Sequence, residues 1–443
     1  MDRERAETYL RLLAEAELRR AMTMPASDDP GPWKSARLAQ VARALTAVGA
    51  VSADLADQIQ ADVGLAVAGR RPVYHRGARW LPTERHGRIR PPPQPVPYRL
   101  VPVNQLITIQ DDGVRRDLLL VAYAQSANGG RFMAAGLRFR PSGAADDRGV
   151  SYRFGFRGSP AAGELVLLPD PPHQIRWLDL IPVAGEPATR IDLDPHVPVP
   201  DVTVTRNVRC PGELLLDVIA ARILAGADFS PDQPGQLTAA AAEGAGHIVA
   251  ALHGTGLLPP DSPVPGQLAG LCARLGIHGH GITAPPAGDL PERWQSMLIS
   301  HRRGEPPVPG ILAATPAELP ELDGATIAIA GLHHGQRGTI MHLLVSGVTP
   351  EGGWEYARGV RPLPVLWIRD SNGRWHTTRM AGMSVWANPG EVALWLWLVP
   401  PLERGTAWIE LSATGRSAEA RVRLPLSSRY PEAHFDDGVR SPW

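Results

Sequence analysis

Leu165–Leu193 reads LVLLPDPPHQIRWLDLIPVAGEPATRIDL, and 231 residues later Leu396–Leu424 reads LWLVPPLERGTAWIELSATGRSAEARVRL. Aligned without a gap, the stretches share Leu165/Leu396, Leu167/Leu398, Pro169/Pro400, Trp177/Trp408, Leu180/Leu411, Arg190/Arg421 and Leu193/Leu424. Leu178/Ile409, Asp179/Glu410 and Ile191/Val422 keep their character. Self-similarity at a fixed spacing marks a repeated architecture and governs how the remainder of a chain is read. The two stretches therefore predict a tandem duplication, and each half can be read outward from them.

Around the first stretch, strand signals run through Leu106–Ile109, Leu118–Tyr123, Met133–Phe139, the alternating Tyr152, Phe154 and Phe156, Leu165–Leu168, Ile175–Ile181 and Thr189–Leu193. Around the second they run through Ile327–Ala330, Ile340–Val345, Val365–Ile368, His376–Met380, Val392–Val399, Ala407–Leu411 and Ala420–Leu424. Short, turn-punctuated strands of this kind, about seven to a half, resemble an immunoglobulin-like β-sandwich in architecture. The cysteine pair of antibody domains is absent.

Ahead of each strand set the period changes to helical. Leu10, Leu13 and Ala14, then Leu38, Val41, Ala42 and Leu45, then Leu55, Ile59 and Val63 recur at helical spacing, with Gly49 and Ser52 placed as caps. In the second half Leu215, Val218, Ile219 and Arg222 share a face, and LHGTGLLPP at Leu252 matches LTAVGAVSA at Leu45, so Gly256 stands where Gly49 does. Asp289 and Glu292 have capping-box spacing before Trp294, Met297 and Leu298. The predicted fold class is α+β and multidomain: a tandem duplication of a small helical module followed by an immunoglobulin-like antiparallel β-sandwich. Its boundaries are helical module 1 at 1–69, a Pro/Arg-rich connector at 70–99, β-sandwich 1 at 100–200, helical module 2 at 205–303, a Pro-rich connector at 304–322, β-sandwich 2 at 323–428 and a tail at 429–443.

The chain has 443 residues, with 45 acidic and 45 basic side chains in balance, so no global field selects an acidic partner. Two cysteines, Cys210 and Cys272, are too few for a disulfide framework. The charged opening MDRERAETYL is unlike a secretion signal, and no apolar run approaches the ~20 residues of a membrane span. A cytoplasmic protein without a membrane partner is expected.

If the halves share what the fold requires, their differences are where function is sought. Leu165 and Leu167 correspond to Leu396 and Leu398, which face the core, so Glu164 and Val166 in one half and Trp395 and Trp397 in the other point outward. Each exposed tryptophan presents ~150–250 Å² of mostly apolar surface. Either another part of the chain covers Trp395 and Trp397, or they form a partner-binding face. Trp177 and Trp408, kept in both halves, read as core.

Other candidates are weaker. Cys272, His278 and His280 carry zinc-type ligands without a recognised spacing. Asp192, Asp194, His196 and Asp201 offer oxygen and imidazole donors at a Pro-rich turn. His333 and His334 read as solvated histidines of a hairpin turn, GLHHG. Arginines 70, 71, 76, 79, 85, 88, 90 and 99, interleaved with Tyr74, Trp80 and Tyr98, make the 70–99 connector a candidate for tracking a phosphate backbone. The balance runs against the nucleic-acid reading, because Lys34 is the only lysine and arginine carries nearly all positive charge everywhere. No nucleophile elbow, phosphate loop, dinucleotide fingerprint or HExxH is present. The expectation is a non-enzymatic adaptor or regulatory protein that binds an unidentified protein and needs no cofactor. A metal-dependent hydrolase and a nucleic-acid binder are the alternatives.

Overall fold

The computed structural model describes residues 3–23, 35–67, 97–300 and 310–429, apart from breaks at 112–113, 127–128, 137–140, 160, 172–173, 183–186, 195–199, 228–233, 315, 336–337, 348–364 and 386–390. Most of the connector at 70–99 and of the tail lies outside the described residues. The chain forms two compact units, one holding the helices on either side of the first strand set, the other holding both strand sets.

The helical unit contains α1 (Arg3–Thr23), α2 (Ala36–Ala47), α3 (Ala53–Val67), α4 (Pro211–Ala227), α5 (Pro234–Gly254) and α6 (Val264–Arg274). Ser35 caps α2 by accepting from the Leu38 amide at 3.1 Å, and Ser52 caps α3 from the Leu55 amide at 3.3 Å. Two helix ends share one geometry. Gly49 at φ 73° lets the Ala50 amide return to the Leu45 carbonyl at 2.9 Å, and Gly256 at φ 72° does the same for Leu257 and Leu252 at 2.9 Å. A left-handed backbone is required at both points, which is why glycine stands there. On α4 the buried face is Leu216, Ile219, Ile223 and Leu224, whereas Leu215 and Val218 are only half-buried, so the expected face is rotated by one residue.

The strand unit begins with β1 (Arg99–Asp111), β2 (Val114–Ser126), β3 (Gly129–Ala135), β4 (Gly143–Asp146), β5 (Ser151–Gly158), β6 (Gly163–Leu168), β7 (Trp177–Ile181), β8 (Thr189–Asp192) and β9 (Val202–Arg206). It continues after helix α7 (Glu292–Ser300) with β10 (Gly310–Ala314), β11 (Ala317–Glu318), β12 (Thr326–Gly335), β13 (Gly338–Ser346), β14 (Val365–Asp370), β15 (Trp375–Val385), β16 (Glu391–Val399), β17 (Trp408–Thr414) and β18 (Ala418–Arg429). An antiparallel eight-stranded sheet runs β1-β2-β3-β6-β5-β4-β7-β8, and a ten-stranded one runs β10-β12-β13-β16-β15-β14-β17-β18-β9, with β11 pairing β12 off that path. β10 pairs with both β12 and β18, which nearly closes the second sheet into a barrel, while the first stays a half-barrel.

These findings correct the predicted fold class of paired helical modules and immunoglobulin-like sandwiches. Each sheet continues around its corner instead of splitting into two separate layers: β5 pairs with β6 along Arg153–Gly158 and with β4 at Ser151–Tyr152, and β15 stands likewise between β16 and β14. The helices do not form one module per half either, because α2 packs on α5 within a single unit. The gap-free alignment also slips. Leu178 pairs with Ile191, but Ile409 pairs with Leu424, so Arg423 and not Arg421 lies opposite Glu410, and the predicted tandem duplication is not supported. Arg190 bonds Asp179 twice at 2.8 Å and stacks over Trp177 at 3.8 Å; Arg423 bonds Glu410 at 3.3 Å and stacks over Trp408 at 4.2 Å. Trp177 and Trp408 are accordingly half-buried beneath guanidinium groups instead of lying in the core.

The half-barrel and the barrel pack on each other within the strand unit, and β2 shows why. Leu118, Leu120 and Tyr123 enter the half-barrel core with Phe132, Leu165 and Leu167, while Leu119, Val121 and Ala124 face Ala328, Ala330, Ile340, Leu344 and Ala393 of the barrel. A strand covered on both sides reads as a continuous apolar run, here LLLVAYA. Alanines dominate the second set, so the backbones come close. A β-carbon at Gly331 would lie 2.6 Å from Val121 Cγ1.

Candidate functional site

The outward positions of the central strands meet at this inter-sheet contact. Glu164 and Val166 on β6, Trp395 on β16 and Arg131 on β3 are all buried. Trp395 is 1 % exposed, and a β-carbon at Gly158 would approach its ring to 3.2 Å. The cover on Trp395 comes from the chain itself. Trp397, one turn of the alternation further on, is half-buried.

Polar groups are enclosed with it. Arg131 reaches Glu164 and Glu391 at 3.4 Å each, so one guanidinium ties the half-barrel to the barrel, and it lies 5.7 Å from the centre of the Tyr98 ring. Burial, and then the neighbouring Glu391 carboxylate, push the Tyr98 phenol upward. Beside this network sits an imidazole pair, His333 Nδ1 and His342 Nε2, 2.9 Å apart. His333 also shares a hydrogen bond with the Ala161 backbone, which as a carbonyl accepts from the remaining ring N–H and leaves Nδ1 to accept from His342. Burial pushes His333 down to about 3 and His342 well below its ordinary value. His334, bonded to Thr339 Oγ1 at 2.9 Å, is pushed down to about 4 by burial.

His333 and His334 thus lie within β12 and are 1 % exposed, contrary to their reading as solvated turn residues. The glycine flanks suggested a turn at GLHHG, but the chain turns beyond Gly335 and the histidines stay on the ladder. His333 and His342 face the other sheet, His334 points to the opposite side of β12 against Thr339, and all three are closed off from solvent.

The other sequence candidates do not converge. Cys272 is fully buried on α6, and burial pushes its thiol up to about 11. His280 Nδ1 accepts from the Ile282 amide at 3.1 Å. Asp192 accepts from the Asp194 amide at 2.9 Å, and Asp194 pairs with Arg99 at 3.2 Å, while His196 lies outside the described residues. No group of three metal-capable side chains assembles among the described residues. Of the connector arginines only Arg99 is described. A cleft beside α7, lined by Glu292, Gln295, Ser296, Ile299 and Arg374, holds an Arg374–Glu403 ion pair and a Ser296 hydroxyl that accepts from the Trp375 amide at 3.2 Å.

Sequence reasoning missed β10 and β11, which lie within the predicted connector 304–322, and β9. The stretch 201–206, DVTVTR, straddles the gap between the predicted β-sandwich 1, ending at 200, and helical module 2, beginning at 205, yet Val202–Arg206 pair with Ala418–Val422 of β18. β10 takes the far end of the same edge of β18, Leu426–Arg429, so β9 is the end strand of its sheet. Thr203, Val204, Thr205 and Arg206 are exposed on both faces, Val204 at 51 %, and Val208 follows at 94 %. The signal that marks it is the alternation of β-branched Val and Thr, which suits a strand.

The remaining sheet ends are guarded. Across the opening of the half-barrel, Arg99 on β1 donates to the carbonyls of Ile175 at 2.9 Å and Leu193 at 2.5 Å, just beyond β8. β8 itself carries the charged Arg190 and Asp192 outward, the usual protection of an edge. No helix among the described residues is long and apolar enough to cross a membrane. The chain matches no known family model, characterised protein or solved structure.

Proposed function

We propose that this chain is a non-enzymatic interaction protein that binds another protein by strand addition at β9. The observation that carries the reading is the exposed edge from Val202 to Arg206, which pairs with no further strand among the described residues. A row of main-chain donors and acceptors at a sheet edge is a ready template for an added strand, with main-chain bonds giving affinity and side chains giving choice of partner. Val204 supplies apolar surface on it. A cytoplasmic setting accords with Cys210 and Cys272, both free thiols.

The test is capture from a native extract with the wild-type chain and with Val204→Lys, which sets a charge on the edge while leaving the barrel core untouched. The reading expects a co-purifying protein that is lost with Val204→Lys and retained with Trp397→Ala. The converse pattern moves the contact to the barrel face around Trp397. Equal recovery with all three chains removes β9 from the account.

A further inference from the structure

We infer that the strand added to β9 is β9 of a second copy of this chain, antiparallel, about a two-fold axis at Val204. The inference rests on the strand-addition reading and names its partner. Its basis is that DVTVTRN is self-complementary in that register and in no parallel one. With Val204 on the axis, Val204 meets Val204 of the other copy, Thr203 meets Thr205, Val202 meets Arg206 and Asp201 meets Asn207. Directly opposed residues in an antiparallel pair point to the same face, and β-branched pairs and Thr–Thr pairs are favourable there, whereas like charges directly opposite are not. None of these pairs sets like charges together.

The charges extend the match. Antiparallel pairing brings the Asp201 end of each strand beside the Arg206 end of the other, while a parallel arrangement would stack acid on acid and base on base. The next strand continues the pattern. Thr205 pairs with Glu419 of β18 and Thr203 with Arg421. A row across the joint therefore runs Arg421, Thr203, Thr205, Glu419, with the last two from the second copy, and the mirror row runs the other way. Each row places opposite charges at its ends, three strand spacings or ~14 Å apart, and no row places like charges. Isologous contacts of this self-complementary kind are the commonest route to a closed dimer. Joining the two edges also closes an edge left open among the described residues, satisfying the outward amides and carbonyls of both copies at once.

Light scattering on the full chain, over a wide concentration range, reads the outcome. Wild type is expected to reach the mass of two chains, and Val204→Lys, which opposes two ammonium groups on the axis, to halve it. Asp201→Arg is expected to weaken the dimer by making both strand ends basic, and Asp201→Arg with Arg206→Asp to restore it, because the two charges merely exchange places. All three substituted positions lie in or beside an exposed strand, and an unchanged far-ultraviolet spectrum confirms that the variants fold. A wild-type mass of one chain at every concentration overturns the inference; if Val204→Lys still loses a captured protein, strand addition itself stands. A dimer that persists in Val204→Lys, or a charge exchange that fails to restore, also overturns it.

Discussion

Acidification should unfold the strand unit through its buried histidines, and the size of the effect follows from their surroundings. His333, His334 and His342 are each 1 % exposed or less. Burial holds His333 at about 3 and His334 at about 4, and depresses His342 further. In the unfolded chain an imidazole titrates near 6.5. The folded values lie below the unfolded one, so between about pH 6.5 and pH 4 the unfolded state binds protons that the native state does not. Stability is full above that window and is lost as pH falls through it. Each group then costs about 1.4 kcal/mol per pH unit, so lowering the pH from 7.5 to 5 removes roughly 2 kcal/mol per histidine and about 6 kcal/mol for the three. That loss is comparable with the whole stability of an ordinary domain, about 5–15 kcal/mol. The assay is urea unfolding followed by tryptophan fluorescence at a series of pH values, since most tryptophans belong to the strand unit. His333→Gln with His342→Gln should be less stable at pH 7.5, yet its stability should fall by about 2.7 kcal/mol less per pH unit across the window. An unchanged slope in the double variant, or a wild-type loss of less than about 1 kcal/mol by pH 5, would refute the reasoning.

Three further outcomes concern the strand unit. Arg131→Met removes the buried cation that Glu164 and Glu391 share and should cost about 3–5 kcal/mol, measured by thermal or urea unfolding; replacing all three by apolar residues should recover most of that. Gly331→Ala drives a methyl to 2.6 Å from Val121 Cγ1 and should cost about 1–3 kcal/mol, and Val121→Ala in the same chain should make it cheaper than the sum of the singles. Tyr152→Phe removes the 2.8 Å bond that its hydroxyl donates to the buried Asp146 carboxylate and should cost about 1.5–3 kcal/mol by the same measurement.

How much of this could be read from residues alone depends on which side of each strand is asked about. Alternation fixed the inward Leu165, Leu167, Leu396 and Leu398 and the outward Glu164, Val166 and Trp395, because a pleat leaves no other choice within a strand. It could not say what lies beyond the outward face. The answer, the other sheet, depends on a contact such as Arg131 to Glu391 that spans 260 residues and has no local signature. The alanine-rich outer face of β2, β12 and β16 carried the hint, since small residues are what permit two sheets to approach, but alanine is equally at home in helices and the hint is weak. The two-residue slip between Arg190 and Arg423 was hidden for a related reason: a shift of two keeps every side chain on its own face, so a hydrophobic pattern is blind to it. β9 was lost through its neighbours. Five residues between a Pro-rich turn and a helix are easily absorbed into the helix, and their meaning comes from where β18 puts them. VTVT supplies a strand's propensity, and only the order of the sheet turns that propensity into an open edge on which a second chain can be tested.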